Sequence, residues 1–284
     1  MKGEVPEDSP GNRSAALTIE KIMEKLTQEE LTQALTGLPV GEIHCFDAIG
    51  STNDFGFERS AAGAPDMTVI TAFEQTKGRG RMQRKWITVP GASLPMTVII
   101  RPTKTEMEHL NLFSPLTGLA LHEALRLGWN ISSEIKWPND VLLNRKKISG
   151  ILCETQWEGD KLNALILGVG TNLCHGSAPD IPDLTYPASS VEDETGILIP
   201  RADWIRCFLT QIIRLRPLLG KDEFFRLWEK YLAYKGERTR VVHPDGSSER
   251  CTVTGISPDG SLITENENGG QKTWLAGEIS LRAV

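Results

Sequence analysis

The segment Gly78-Arg79-Gly80-Arg81-Met82-Gln83-Arg84-Lys85-Trp86 alternates backbone freedom with planar guanidinium forks. That pairing suits a loop wrapping a phosphate or carboxylate: glycine lets the backbone approach, and each fork donates parallel hydrogen bonds. A solvated basic loop is the plainer reading, but Trp86 counts against it, because a large aromatic at the loop's end is expected against core or ligand. From Gln75 to Thr105 there is no Asp or Glu, where the chain's average would place about four. The same window holds Lys77, Arg79, Arg81, Arg84, Lys85, Arg101 and Lys104, so an anion is expected there.

A second segment runs Lys136-Trp137-Pro138-Asn139-Asp140 and is followed by Lys146-Lys147-Ile148-Ser149-Gly150-Ile151-Leu152. Val141, Leu143, Ile148 and Leu152 predict a hairpin that mounts Lys147 on a rigid strand, as suits a cation that must meet a reacting group accurately. Taken alone, Lys146 and Lys147 read equally as turn lysines. Other catalytic patterns fail. There is no phosphate-binding G-x-x-x-x-G-K-[ST]; His122-Glu123-Ala124-Leu125-Arg126 lacks a second histidine; Gly168-Val169-Gly170-Thr171-Asn172-Leu173 lacks the third glycine of a dinucleotide fingerprint; no G-x-S-x-G occurs.

The elements that must hold these segments read as mixed α/β. Strands are predicted at 43–46, 69–73, 97–100, 141–143, 147–154 and 164–169. Helical spacing occurs at Ile19, Ile22, Met23 and Leu26, and a helix over 27–37 opens on a Thr27/Glu30 capping box. Ser51-Thr52-Asn53 caps a helix toward Ala62, an amphipathic helix spans 110–127 with Gly128 closing it, and two more span 203–218 and 222–234. Asn144-Arg145-Lys146 is the expected hairpin turn. After Tyr234 five short strands, at 238–242, 251–256, 261–265, 272–275 and 279–282, are separated by Pro244-Asp245-Gly246, Pro258-Asp259-Gly260 and Asn268-Gly269-Gly270, which predicts a small appended β-barrel.

The chain's 284 residues, 39% hydrophobic and 24% charged, fit one large or two ordinary globular domains and exclude wholesale disorder. No apolar run approaches a bilayer span, the N-terminus lacks the apolar core of a signal peptide, and five scattered cysteines offer neither a disulfide framework nor a zinc site. A cytoplasmic protein is the expectation. The net charge of −6 gives no global reason to seek nucleic acid. Two short helices near the N-terminus invite a DNA-binding reading, but between Thr18 and Leu38 Lys21 and Lys25 face Glu20, Glu24, Glu29 and Glu30, a poor surface for phosphates.

The ordered set Ser51-Thr52-Asn53, Gln75, Gly78-Arg79-Gly80-Arg81-x-x-Arg84-x-Trp86, Lys136-Trp137-Pro138-Asn139-Asp140, Lys147 with Gly150-Ile151-Leu152, and Gly168-x-Gly170-x-Asn172 closely resembles the biotin protein ligase family. The resemblance runs from about Gly41 to the C-terminus, where Gly255, Asp259-Gly260-Ser261-Leu262 and Gly277-Glu278-Ile279 look like the family's SH3-like barrel. It implies an α+β fold: a mixed-sheet, class II synthetase-like catalytic domain over 17–234, preceded by a flexible tail over 1–16 and followed by the barrel over 235–284. It also implies ATP-dependent formation of biotinyl-5′-adenylate and transfer of biotin to a lysine of a biotin carboxyl carrier domain, the natural acceptor belonging to an acyl-CoA carboxylase. Biotin, ATP and Mg²⁺ would be required, nucleic acid and membrane would not, and a homodimer is compatible.

By the same resemblance Ser51, Thr52 and Asn53 would hydrogen-bond the ureido ring of biotin with Gln75 nearby, and Gly78, Arg79, Gly80 and Arg81 would order over it, with Gly150 in the biotin site. Arg79, Arg81 and Lys147 would carry catalysis, Arg81 by retaining the adenylate and Lys147 by stabilising charge in both steps. Arg84, Trp86, Asn139, Asp140 and Asn172 would form the ATP side, with Asp140 placing either Mg²⁺ or the incoming lysine. Two departures stand out. Gln83 replaces the family's glycine, implying a strain of about 1 kcal/mol if that position needs positive φ. The acidic N-terminal helices do not resemble the winged helix-turn-helix of family members that repress transcription. The alternatives are a lipoate or octanoate protein ligase, a bifunctional biotin-responsive repressor, and a non-catalytic binding module.

Overall fold

The computed structural model describes residues 24–178, 186–276 and 280–283. The expected tail over 1–16, the spacing at Ile19, Ile22 and Met23, and the Gly277-Glu278-Ile279 segment lie outside them. Helix α1 (Gln28–Ala34) opens on the expected capping box: Thr27 Oγ1 accepts the Glu30 N–H at 3.2 Å, and Glu30 Oε2 accepts the Thr27 N–H at 2.9 Å. It stops at Ala34, short of Gly37. The Gln28 amide donates to Ile43 O at 2.7 Å and accepts the Cys45 N–H at 2.8 Å, so a side chain occupies part of the free edge of strand β1 (Ile43–Ile49).

There follow α2 (Thr52–Ala61), β2 (Thr68–Gln75), β3 (Ser93–Ile100), α3 (Phe113–Trp129), β4 (Glu134–Lys136), β5 (Asp140–Leu143), β6 (Lys146–Glu158), β7 (Lys161–Asn172), α4 (Val191–Thr195), α5 (Arg201–Leu215) and α6 (Asp222–Lys230). The seven strands form one mixed sheet in the order β1-β2-β3-β7-β6-β5-β4. β1 and β2 are parallel, joined through α2, and the remaining pairs are antiparallel. Alternate residues of the central strands divide between its faces. Val69, Val98, Leu165 and Leu167 join Leu116, Leu119, Phe208 and Ile212 of α3 and α5 in the main core, whereas Ile70, Ile99 and Ile166 form a smaller cluster with Phe46, Phe55 and Phe57. Burying each such side chain contributes roughly 1.5–3 kcal/mol.

Several boundaries differ from the sequence expectation, and for three of them the reason is local. β3 begins at Ser93 and passes through Pro95, beyond the last β2 pair at Thr71↔Met96, where the missing N–H leaves no ladder bond unmade on that side. Helix α3 runs past Gly128 and closes on Asn130, whose left-handed φ of 55° is paired with the Ile131 N–H donating to Leu125 O at 3.1 Å. The β5–β6 turn takes two residues, Asn144 and Arg145, both at positive φ, in place of the three expected.

The C-terminal region forms a separate antiparallel sheet from β8 (Arg238–Val242), β9 (Ser248–Ile256), β10 (Leu262–Glu265), β11 (Gln271–Trp274) and β12 (Ser280–Ala283), in the order β11-β10-β9-β8-β12. It stands where the small barrel is expected, with the three turn segments between its strands. Trp137 Nε1 donates to Gly260 O at 3.1 Å, tying this sheet to the segment that follows β4.

Candidate active site

One cavity of about 240 Å³ collects every candidate site residue except Gly78. Its polar end is built by the β1–α2 junction. Ser51 caps α2, its Oγ accepting the Asp54 N–H at 3.4 Å, and this places Thr52 and Asn53 in the buried first turn. Gln75, ending β2, accepts the Thr52 N–H at 2.8 Å and the Thr52 hydroxyl at 2.9 Å.

The arginine loop folds back on itself. The Trp86 N–H donates to Gly78 O at 3.0 Å and the Gly80 N–H to Arg84 O at 2.7 Å, so Gly78 forms the loop's base and does not line the cavity. A Cβ on Gly78 would lie 2.5 Å from Trp86 O, which explains the glycine there by space. At the tip Met82 and Gln83 have φ of 54° and 58°. The position where the family has glycine is therefore in the left-handed region, and Gln83 carries a penalty of about 1–2 kcal/mol there.

Trp86 lies over the β6–β7 floor, and its Nε1 is buried without a hydrogen-bond partner. A Cβ on Gly170 would fall 2.2 Å from Trp86 Cε2, and one on Gly150 would fall 3.0 Å from Lys147 Nζ and 3.1 Å from Trp86 Cζ3. Gly170→Ala is accordingly expected to dislodge the indole and weaken nucleotide binding by at least about tenfold with little loss of fold. The check is ATP titration followed by Trp fluorescence; unchanged affinity would show that Trp86 does not wall the nucleotide.

Lys147 reaches the cavity because β6 is irregular. Val141 pairs with Ser149 but Leu142 pairs with Lys147, a bulge that breaks the two-residue alternation and lets Lys147 and Gly150 face one side. Lys147 Nζ lies 2.6 Å from Asp140 Oδ1 and 5.7 Å from the centre of the Trp86 ring. Lys136 Nζ, buried, contacts the other Asp140 oxygen at 3.2 Å and stands 4.6 Å over the Tyr186 ring. Burial would push the Asp140 carboxyl up, but Lys147 and Lys136 outweigh it and hold it down at about 2. Burial pushes the Lys136 ammonium down, with Asp140 opposing.

That depressed carboxyl has a consequence for acid stability. Its contribution is whole above the ordinary value of 3.8 and is lost as pH falls through 3.8 toward about 2. Asp140→Asn should lower stability at neutral pH and flatten the acid limb of a melting-temperature profile between about pH 4 and 2. An unchanged acid limb would remove Asp140 as its source.

Arg81 Nη1 donates to Asn139 Oδ1 at 3.1 Å, and Asn139 Nδ2 donates to Ile151 O at 2.8 Å. Burial pushes the Arg81 guanidinium down, with Asp140 opposing. Asn172 Nδ2 donates to Ser189 O at 3.0 Å while its buried Oδ1 has no partner. Arg79 pairs with Asp54 of α2 and, at 3.1 Å, with Glu154 of β6. Sequence reasoning gave no role to Lys136 and missed Tyr186, Leu281, Arg282 and Glu154. Leu281 and Arg282 line the cavity from β12, where no local pattern marks them. Burial, with Arg84 nearby, pushes the Arg282 guanidinium down.

Among the described residues no group of three or more His, Cys, Asp or Glu is disposed to hold a metal ion. Asp140, the carboxylate lining the cavity, is already matched by two ammonium groups, so these residues do not form a protein-held metal cage.

The arrangement is a cavity with one polar end, a glycine–arginine hairpin along one wall, and a strand-mounted ammonium: it can bind two anionic molecules and stabilise charge moving between them. Comparison with known proteins agrees. Residues 45–172 match the biotin/lipoate A/B protein ligase family, and 235–282 match the biotin protein ligase C-terminal domain. A bifunctional ligase/repressor BirA of Bacillus spizizenii is 32% identical over 89% of this chain and 78% of its own. A biotin–[acetyl-CoA-carboxylase] ligase of Paracoccus denitrificans is 32% identical over 74% of this chain and 89% of its own. The biotin protein ligase of Aquifex aeolicus in complex with biotin and ATP superposes with a TM-score of 0.73, 28% identity, 86% of this chain and 99% of that one. By its motifs, its fold and these relatives, the chain belongs to the biotin protein ligase family.

Proposed function

We infer that this protein is an ATP-dependent biotin protein ligase, which activates biotin as biotinyl-5′-AMP and transfers it to a lysine of a biotin carboxyl carrier protein. One observation carries the reading: the Ser51-Thr52-Asn53/Gln75 end, the arginine loop and the Lys147–Asp140–Lys136 cluster open into the same cavity. In the first step a biotin carboxylate oxygen attacks the α-phosphorus of ATP and pyrophosphate leaves. In the second an acceptor lysine amine attacks the acyl carbonyl, AMP leaves with the bonding pair, and the amine sheds its proton.

Residue roles follow from reach and charge. Ser51, Thr52 and Asn53 meet the ureido ring, with Gln75 beside them; Arg79, Gly80 and Arg81 cover it, and Gly150 leaves room at the floor. Lys147 stabilises negative charge at the carboxylate and α-phosphate. Arg84, Trp86, Asn139 and Asn172 face the nucleotide, with Arg282 added from the C-terminal sheet. Asp140 holds the two lysines in place. Mg²⁺ enters with ATP as part of the substrate, and no step is assigned to it. Residues 17–234 act as the catalytic domain and 235–284 as the C-terminal domain. The acceptor is the carrier domain of an acyl-CoA carboxylase, and a homodimer is the assembly to test by light scattering.

A cytoplasmic location agrees with five free cysteines and with the fact that no helix of the described residues is long and apolar enough to cross a membrane. A repressor role is not part of the reading, given the acidic stretch from Thr18 to Leu38. The test is exchange of labelled pyrophosphate into ATP, dependent on biotin and not on lipoate, followed by transfer to a purified carrier domain. Exchange driven by lipoate alone would replace this reading with the lipoate ligase.

A further inference from the structure

Glu154 stands on β6 two residues beyond Leu152 and four beyond Gly150, on the face that lines the cavity. It does not line the cavity itself. Its Oε2 accepts Asn53 Nδ2 at 2.7 Å, and both its oxygens face Arg79 Nη2, at 3.1 and 3.3 Å. At the other end of the same amide the Thr97 hydroxyl donates to Asn53 Oδ1 at 2.6 Å. Thr97 Oγ1 also lies 2.8 Å from Thr52 Oγ1, whose own proton goes to Gln75 Oε1. Each hydroxyl has one proton, so the Thr52–Gln75 pair stands beside, not within, the hydrogen-bonded chain that links Glu154, Asn53 and Thr97. Glu154 is its charged member.

We propose that Glu154 is a positioning residue for biotin: it fixes the amide of Asn53 so that an acceptor, and not a donor, is presented to the ring N–H groups of the substrate. This rests on the ligase reading above. An ionised carboxylate only accepts hydrogen bonds, so it obliges Asn53 to turn its NH₂ toward β6; the flipped amide would set two acceptors against each other. The carbonyl oxygen then has one lone pair occupied by Thr97 and one left for the cavity that Asn53 lines. A ureido ring carries two N–H donors beside one carbonyl acceptor, which demands a site of defined polarity at each edge. The space for Asn53 is also shaped by the opposite strand: a Cβ on Gly168 would lie 2.4 Å from Asn53 Oδ1 and 2.8 Å from Nδ2. Glycine at 168 thus leaves the room that the amide fills, and charge on the other side directs which way it turns. Arg79 neutralises the carboxylate, with Asp54 as its second counter-ion.

Glu154→Gln keeps the shape but can donate as well as accept, so both amide orientations of Asn53 become populated. In biotin-dependent pyrophosphate exchange the variant is expected to raise the KM for biotin by about 10- to 100-fold, the range for losing a hydrogen bond in a charged network, with kcat changed less than about threefold. Glu154→Asp, which restores the acceptor one methylene shorter, should fall between wild type and Glu154→Gln. Asp54→Asn removes a carboxylate from Arg79 without touching Asn53 and should raise the KM by less than about threefold. An unchanged KM in Glu154→Gln, a fall in kcat at constant KM, or an Asp54→Asn effect as large as that of Glu154→Gln would each overturn the proposal, the last by routing the effect through Arg79. If Glu154→Gln fails to fold, Glu154→Asp carries the same criteria. A wild-type enzyme without biotin-dependent exchange would instead refute the ligase reading itself.

Discussion

Lys147→Ala is expected to slow biotin-dependent pyrophosphate exchange by about two to three orders of magnitude, the scale of removing one preorganised charge donor from an active site. The reason is electrostatic. A carboxylate must approach a polyphosphate bearing about four negative charges, and both repel until fixed cations replace the water that is expelled. Lys147 is suited to this because the β6 bulge holds its stem while Asp140 at 2.6 Å holds its head, so little reorganisation is needed when the anions arrive. Asp140 keeps Lys136 at 3.2 Å in the variant, so its charge is not left alone and the fold should survive. Lys147→Arg should rescue poorly, because a planar fork does not reproduce a compact ammonium at the same point. A variant retaining near-normal adenylate formation would show that the charge is supplied elsewhere.

Arg81→Gly is expected to change the fate of the intermediate more than its formation. Arg81 is half-buried, lines the cavity and donates to Asn139, which is itself tied to the backbone of Ile151, so its fork is held at the cavity before any ligand binds. Losing charge-assisted hydrogen bonds to an adenylate should raise its escape rate by about 10- to 100-fold. The expected signature is free biotinyl-5′-AMP in the medium and biotin on amines of bystander proteins, detectable by streptavidin blot of a mixture without carrier domain. If the variant labels no more bystander protein than wild type, retention belongs to another group. Gln83 belongs to the same loop, and its left-handed backbone stores strain in the hairpin.

The sequence made the arginine loop, the Lys-Trp-Pro-Asn-Asp segment and the Ser-Thr-Asn cap readable because each is a local pattern whose chemistry and backbone demand coincide. The Thr27 box, the hairpin bearing Lys147 and the alternating strands were legible for the same reason. What remained hidden depends on tertiary register. No spacing rule says that Glu154 will meet Asn53 across 101 positions, that Arg282 will line the same cavity as Arg84, or that Lys136 will share Asp140 with Lys147. The bulge that brings Lys147 and Gly150 to one side contradicts simple alternation, and it occurs where the site needs it. Helix α3 ends at Asn130 because αL tolerance and a partner N–H outweigh a glycine two residues earlier.

Leu281 and Arg282 reach the cavity from the last described strand, far from the loop they face. During synthesis the ribosome must release that strand before the chamber has its full wall. A nascent or prematurely terminated chain then holds the arginine hairpin and Lys147 in a chamber that lacks the Leu281 and Arg282 side of its wall.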